Sequence, residues 1–494
     1  MIVMKFGGSS LASAAAIRRV ASIVQSQLHL KPVVVVSAFG DTTDHLASIL
    51  KHSAAGESYP AWKLIKELRE YHFSVAEDLL GALELEAVDQ GLRESFRDLH
   101  VRMAEVCDGE RTITPEEKDR TLSLGEQLSS LIVAAAFREL GVASCHMDAR
   151  KLILTDNQFS NATPRYYETC AKIRWAIPIA ADKSVVVLGG FIGANEQGQT
   201  TTLGRGGSDF TATVVAAAIN ASEVQIWKDV DGILTADPRR RSDAWLVKNL
   251  SYQEAAELAK AGAQVLHPKT IAPAARLRIP VTLRNTFNPQ AEGTRIQLNP
   301  PAVAAKSIVC KTGVTLLEVS SGSSGVSVAE CSQQLNSLPL EVLGMTESVL
   351  YLALNNTLHQ PEVPFEMGAC METHLRTEQA LLTLVGAGIA SDESLVNRIR
   401  IALADSDAFI LPRESSAISL RIAVPERHLT VCLAALHKLL FATPNPAIFA
   451  KPSLAPAPKP LHAATPKDRA SRIQKALAML PTSQRRAPAT FPQS

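Results

Sequence analysis

Two spacings of apolar residues alternate along the first part of the chain. Ile2-Val-Met-Lys-Phe6 is apolar apart from Lys5, Gly7-Gly8-Ser9-Ser10 follows at once, and Leu11, Ile17, Val20, Ile23 or Val24 and Leu28 then recur at helical spacing. Pro32-Val-Val-Val-Val36 is a continuous β-branched run. Strand, helix and fully apolar strand in that order make a βαβ unit and predict a parallel sheet covered by helices on both faces. Residues 45 to 119 pattern as polar helices, with the acidic run Glu77 to Glu86 a solvated face. Arg120 to Leu140 predicts an amphipathic helix, Ala149 to Asp156 a short strand and Asn157 to Pro164 a loop. Val185 to Ile192 predicts a buried strand, Phe210 to Ile219 an apolar helix, and Val224-Gln-Ile-Trp227 another strand. Tyr252 to Lys260 predicts a helix, Gly262 to Lys269 the lead into a further one, and Pro280-Val-Thr-Leu-Arg284 the strand that closes the unit.

Beyond residue 300 the texture changes. Strand-like segments at 307–321, 348–355, 380–385 and 417–424, with helical ones at 395–404 and 429–440, predict one or two small α+β modules. From Ala450 the chain is rich in Pro and Ala with scattered Lys and Arg, which predicts disorder with one helix over Arg469 to Leu480. Three parts follow: an α/β domain over 1–300, a second region over 301–450 and a tail over 451–494.

Composition excludes more than it assigns. Lys plus Arg (50) balance Asp plus Glu (49), so no overall field steers the chain toward nucleic acid or an anionic membrane. Seven cysteines lie far apart, with no Cys-x-x-Cys and no metal-type cluster, which suits a reducing cytosol and predicts no protein-held metal. No apolar run approaches the roughly 20 residues of a membrane span. The N-terminus enters a strand pattern directly, so a cytoplasmic protein is expected.

The chemistry gathers where strands end. Gly7 to Ser10 occupies a strand's C-terminal end and a helix's N-terminus, where open α/β sheets bind ligands. Lys5 is an expensive charge in a core strand unless it faces an anion, and the order of residues is not that of a Walker A loop. Ser37-Ala-Phe-Gly-Asp-Thr-Thr-Asp44 sets hydroxyls and carboxylates on the same rim. Thr200-Thr-Thr-Leu-Gly-Arg-Gly-Gly-Ser-Asp209 combines turn-forming glycines, Arg205, Ser208 as the predicted N-cap and Asp209 at the start of an apolar helix. Alone, that segment also reads as a glycine-rich turn with an ordinary cap. After Trp227 come Lys228, Asp229, Asp231 and Gly232, then Asp237-Pro238, a turn signal. His267, beside Pro268, is expected to be structural. Val385-Gly-Ala-Gly-Ile-Ala390 lacks the third glycine of a dinucleotide fingerprint, so no nicotinamide site is expected. Cations, glycine turns and hydroxyls on one rim suit phosphoryl transfer, which depends on positioning and on neutralising phosphate charge. Each cation–phosphate contact at about 4 Å is worth roughly 4 kcal/mol at an effective dielectric of 20.

Lys5-Phe-Gly-Gly-Ser-Ser10, Leu124-Gly-Glu126, Gly190-Phe-Ile192, Leu203-Gly-Arg-Gly-Gly-Ser-Asp209 and Gly262-Ala-Gln-Val-Leu-His-Pro268 resemble the motif set of aspartate kinases, in the amino-acid kinase superfamily. Thr200 to Asp209 and Trp227-Lys-Asp-Val-Asp-Gly232 are most similar to the plant-type monofunctional subgroup. The resemblance spans roughly residues 1 to 300. It implies a mostly parallel sheet sandwiched by helices and transfer of the γ-phosphoryl group of ATP, as its Mg²⁺ complex, to the side-chain carboxylate of L-aspartate. The product, 4-phospho-L-aspartate, leads toward lysine, threonine and methionine. By motif match, Lys5 holds the transferring phosphate with Gly7, Gly8 and Ser9 around it. Arg205 grips the α-carboxylate, Glu126 and Asp209 meet the α-amino group, and Ser37, Thr43 and Ser208 line the substrate. Lys228, Asp229, Leu234, Arg239 and Gln264 belong to the ATP side.

Three of these depart from many bacterial relatives, which carry a lysine where this chain has Gln264, a small hydroxyl residue where it has Lys228 and, in several, an aromatic where it has Leu234. The implied reading is that the phosphate-facing cation has moved from the first position to the second. The C-terminal part resembles ACT modules, which bind end-product amino acids and form dimers. Lys311 to Val319 and Leu382 to Gly386 fit first strands, while Ser320-Ser-Gly-Ser-Ser-Gly325 stands where an effector loop and helix belong, so the first module reads as eroded. A glutamate or N-acetylglutamate kinase is disfavoured by Glu126, Arg205 and the two-module C-terminal part. Intact Lys5, Arg205 and Asp209 argue against a sensor without turnover, and the length against a fused homoserine dehydrogenase.

Overall fold

The computed structural model describes residues 1–263, 266–321, 340–346, 348–355, 371–412 and 417–452. Gln264, the stretch 322–325 and the tail from 453 lie outside them. The first half runs β1 (Ile2–Phe6), α1 (Ala14–Gln25), β2 (Pro32–Val36), α2 (Thr42–Ala54), α3 (Ser58–Leu79), α4 (Ala82–Cys107), α5 (Pro115–Leu122), α6 (Leu124–Glu139), β3 (Ser144–Met147), α7 (Ala149–Leu152), α8 (Tyr166–Ala181) and β4 (Val185–Gly189). It continues through β5 (Ile192–Ala194), β6 (Thr200–Thr202), α9 (Gly207–Ile219), β7 (Glu223–Lys228), β8 (Leu246–Val247), β9 (Asn249–Ser251), α10 (Tyr252–Lys260), α11 (Pro268–Arg276), β10 (Val281–Asn285) and β11 (Thr294–Gln297). The second region holds β12 (Ser307–Ser321), β13 (Leu340–Met345), β14 (Val349–Asn355), β15 (Met371–Val385), α12 (Glu393–Ala402), β16 (Phe409–Ile410), β17 (Ser419–Pro425), α13 (Leu429–Phe441) and β18 (Phe449–Ala450).

The apolar runs become the middle of an eight-stranded sheet, ordered β3-β4-β2-β1-β7-β10-β11-β9. β1 pairs in parallel with β2 and with β7, β2 with β4, and only the β10–β11 pair is antiparallel. Side chains alternate across a strand, so Ile2, Met4, Phe6 and Trp227 enter the core beneath α1 to α4 and α6. Val3, Val224 and Ile226 enter the opposite core with α8, α9 and α11. Lys5 and Lys228 fall on that second face by the same alternation, at the carboxyl ends of neighbouring strands. The second region forms one six-stranded antiparallel sheet, β13-β14-β12-β15-β17-β16. Both segments predicted to open separate modules therefore lie side by side in it, in β12 and β15.

Several local expectations change. The stretch from 120 to 140 is broken at Ser123, and α6 is buried on nearly every side rather than amphipathic, because it is wedged between the sheet and other helices. Ala149 to Leu152 is a helical turn capped by the Asp148 side chain, followed by isolated bridges at Leu154 and Thr155, not a strand. The run from 185 to 192 stops at Gly189, because Phe191 turns the chain at φ 68° and sends it into β5. Helix α8 carried no prediction. β10 does not close the sheet, since β11 and β9 extend it. Ser208 lies inside the first turn of α9, and the N-cap is left-handed Gly206. Among the described residues, no helix is long and apolar enough to cross a membrane.

Candidate active site

β1 and β7 deliver two lysines to one carboxylate. Lys5 Nζ lies 2.6 Å from one oxygen of Asp209, in the first turn of α9, and Lys228 Nζ lies 3.2 Å from the other. Lys5 and Asp209 are both buried, at 6% and 5% exposure. Burial pushes the Asp209 carboxyl upward, but the two ammonium groups outweigh it and leave the pKa below the ordinary carboxylate value. Burial lowers the Lys5 pKa more than Asp209 raises it, and Lys228 adds to the lowering. An ion pair this dry gives little net stability and is costly to break from one side, which makes a site that accepts a further anion more understandable than a purely structural bridge.

Glu126 adds a different carboxyl. It projects from the first turn of α6, and its Oε1 accepts the Ala38 N–H at 3.1 Å, just after Ser37 at the end of β2. Its Oε2 is buried with no hydrogen-bond partner among the described residues. Burial pushes the Glu126 pKa up to about 8, against the pull of the Ala38 N–H and of Lys5. A buried carboxyl with a raised pKa and one unsatisfied oxygen suits an incoming cation, which would favour its ionised form.

Close approach explains the glycines. A Cβ on Gly8 would stand 2.9 Å from the Gly40 carbonyl oxygen, and one on Gly190 would stand 2.6 Å from the Ser208 Cβ. Gly8 thus lets the first turn meet the loop after β2, and Gly190 lets α9 seat on the sheet. Arg205 is exposed on a loop between Gly204 and Gly206, whose φ values of 76° and 75° suit glycine.

The structure brings Lys5, Glu126, Asp209 and Lys228 into one electrostatic cluster, with Gly7 beside the Lys5 ammonium and Ser208 buried next to Asp209. Ser9 is exposed in the short turn Gly8–Leu11, and Thr43 is half-buried at the start of α2. Asp229 is exposed beside Lys228, Leu234 is half-buried and bridged to Leu246, and Arg239 is turned onto Asp237, its side chain 79% exposed. His267 caps α11 by accepting the Lys269 N–H, the structural role expected of it. Sequence reasoning missed Asp119, Asn161 and Lys269, which surround the Arg205 loop. One carboxylate in a polar helix and one amide in a loop carry no pattern that would single them out.

The chain matches the Amino acid kinase family over residues 1–285. It is 31% identical over 464 residues to "Aspartokinase 1, chloroplastic" of Arabidopsis thaliana, covering 89% of this chain and 80% of that protein. It is 29% identical over 456 residues to "Lysine-sensitive aspartokinase 3" of Escherichia coli (strain K12), covering 89% and 99%. Among solved structures, that of E. coli aspartokinase III in complex with aspartate and ADP (R-state) is similar at a TM-score of 0.77 and 28% identity, over 89% of this chain and all of that one.

Proposed function

The chain belongs to the amino acid kinase family, among the aspartokinases, and we propose that it moves the γ-phosphoryl group of ATP to the side-chain carboxylate of L-aspartate, giving ADP and 4-phospho-L-aspartate. The observation that carries this reading is Asp209 held between Lys5 and Lys228 at the strand ends, with the buried, unpartnered oxygen of Glu126 in the same electrostatic cluster. An aspartate carboxylate oxygen forms the new bond to phosphorus as the bond to the ADP oxygen breaks. The acceptor is already ionised at neutral pH, so no strong general base is needed.

In this reading Lys5, with Gly7, Gly8 and Ser9, meets the transferring phosphoryl group. Arg205 holds the substrate α-carboxylate, Glu126 and Asp209 meet its α-ammonium, and Ser37, Thr43 and Ser208 line the acceptor. Lys228, Asp229, Leu234, Arg239 and Gln264 belong to the nucleotide side. Of the buried carboxyls, Asp209 is shared between two lysines, burial raises the Glu126 pKa, and Asp231 accepts from Asn285 at 2.8 Å, a donor set poor in free anionic oxygen. Mg²⁺ therefore arrives on the phosphates of ATP, where it neutralises their charge.

The same reading assigns 1–300 to catalysis and takes 301–450 as an ACT-like region through which two copies associate. It places the product on the route to lysine, threonine and methionine, in the cytoplasm. All five described cysteines are free thiols, in keeping with a reducing compartment.

Purified protein with MgATP and L-aspartate should release ADP and give an acyl phosphate that hydroxylamine traps as the hydroxamate, with glutamate inactive in its place. Absence of aspartate-dependent hydroxamate would overturn the reading.

A further inference from the structure

Asp119 is fully buried on α5, seven residues before Glu126 of α6, and the roles given above to Lys5, Glu126, Arg205 and Asp209 make no use of it. Its two carboxylate oxygens accept four hydrogen bonds from two other segments. Oδ2 takes the backbone N–H groups of Thr202 at 2.7 Å and Ser160 at 2.8 Å, while Oδ1 takes their hydroxyls at 2.9 and 3.3 Å. Thr202 ends β6 and is three residues from Arg205. Ser160 precedes Asn161, whose Oδ1 lies 2.8 Å from where a Cβ on Gly204 would stand and accepts from Lys269 Nζ at 2.7 Å. The loop carrying Arg205 is thus tied to Asp119 through β6 on one side and packs closely against Asn161, the residue after Ser160, on the other.

The helix holding Asp119 is itself fixed from behind. Arg102 of α4 bonds to Glu117, and its Nη1 reaches Thr121 Oγ1 at 3.0 Å, so α5 is held on both flanks. Helix α6 follows after Ser123 and presents Glu126. One rigid path therefore connects the Arg205 loop to the Glu126 carboxyl.

We propose that Asp119 is a positioning residue that sets the distance between Arg205 and Glu126, and thereby the spacing of the sites for the acceptor's α-carboxylate and α-ammonium. The inference rests on the substrate roles given to those two residues above. A carboxylate suits the task because it has acceptor capacity for four donors and no proton to place among them. An amide of the same shape turns one oxygen into an NH₂ that faces two donors. Since reacting groups must be held to within a fraction of an ångström, loosening this clamp acts on the acceptor amino acid and leaves the nucleotide side alone.

The test is steady-state kinetics and thermal unfolding on the full chain. Asp119→Asn should raise the aspartate KM by about tenfold and leave the ATP KM within about twofold. Thr202→Val, which removes one of the four donors without changing shape, should raise the aspartate KM about threefold, and Thr202→Ser should restore it. Equal movement of both KM values, in step with a fall in Tm, would reduce Asp119 to general stability and overturn the inference. If Asp119→Asn does not fold, an unchanged aspartate KM in Thr202→Val overturns it alone. Arg205→Ala in the same assay separates the two levels. An unchanged aspartate KM there refutes the substrate roles, whereas a large rise beside a silent Asp119→Asn refutes only the positioning role.

Discussion

At neutral pH Glu126 is held protonated, because burial has pushed its carboxyl up to about 8. An ammonium brought to its unpartnered Oε2 favours the ionised form, so binding of aspartate should release a proton below pH 8. The sign follows: kcat/KM for aspartate should climb with pH by about one log unit per pH unit and level off near 8. Glu126→Gln should flatten that limb and lower aspartate affinity by about tenfold. It should also raise Tm at neutral pH, because the folded pKa stands above the unfolded one, and the wild type therefore loses stability as pH rises from about 4.3 toward 8. A wild-type profile flat between pH 6 and 8 would sink this account. Lys228 acts on the same cluster from the next strand. Lys228→Ala should raise the ATP KM or lower kcat by about tenfold or more, since it removes a phosphate-facing cation and leaves Asp209 with one ammonium; wild-type kinetics in that variant would refute the role. Lys5 and Asp209 stood out in the sequence because a charge in an apolar strand or beside a glycine turn has to be explained, and the structure pairs them. Asp119 did not, because its four donors come from segments 41 and 83 residues away.

Elements were legible where one period ruled without competition. The runs at 2–6 and 32–36 became strands with those bounds, and 252–260 became a helix with its predicted bounds, whose Ser251 and Glu254 make a reciprocal capping box. Reading failed where tertiary surroundings replaced the solvent that amphipathicity assumes. α6 has almost no polar face because helices and sheet enclose it, and α8 carries exposed Tyr167, Trp175 and Ile179, which blur its pattern. The β4 run ends early where Phe191 turns the chain, and Gly190 beside that turn admits α9. A methyl there would lie 2.6 Å from the Ser208 Cβ and 2.7 Å from its Cα, too close for any rotamer to relieve. Gly190→Ala should therefore push the N-terminus of α9 off the sheet, taking Asp209 away from Lys5. We expect kcat/KM to fall about a hundredfold with a lowered Tm. Near-normal kinetics would mean that the helix shifts without disturbing the lysine–carboxylate contact.

At the scale of the whole molecule, the second sheet grips the segment after β7 that carries Leu234 and Arg239. Ser307 Oγ donates to the Leu234 carbonyl at 2.7 Å, and the Ile308 N–H to the Thr235 carbonyl at 2.8 Å. Thr235 Oγ1 also meets His437 of α13 at 2.9 Å, in a buried contact. Next to these, Lys306 enters the base of the sheet as a fully buried cation paired at 2.9 Å with Glu254 of α10. Pairs this dry fix one arrangement more than they add stability, so the two regions share a defined register at this seam. A sequence shows none of this, because each contact joins residues more than fifty positions apart. If the segment lines the nucleotide, its geometry depends on the second region even when no effector is bound. Thr235→Val keeps the volume but removes the hydroxyl that meets His437 and also accepts the Trp245 N–H at 2.9 Å. It should raise the ATP KM about threefold and leave the aspartate KM unchanged, the converse of the pattern expected for Asp119→Asn. Equal ATP KM values in variant and wild type would show that this seam holds the two regions together without reaching the nucleotide side.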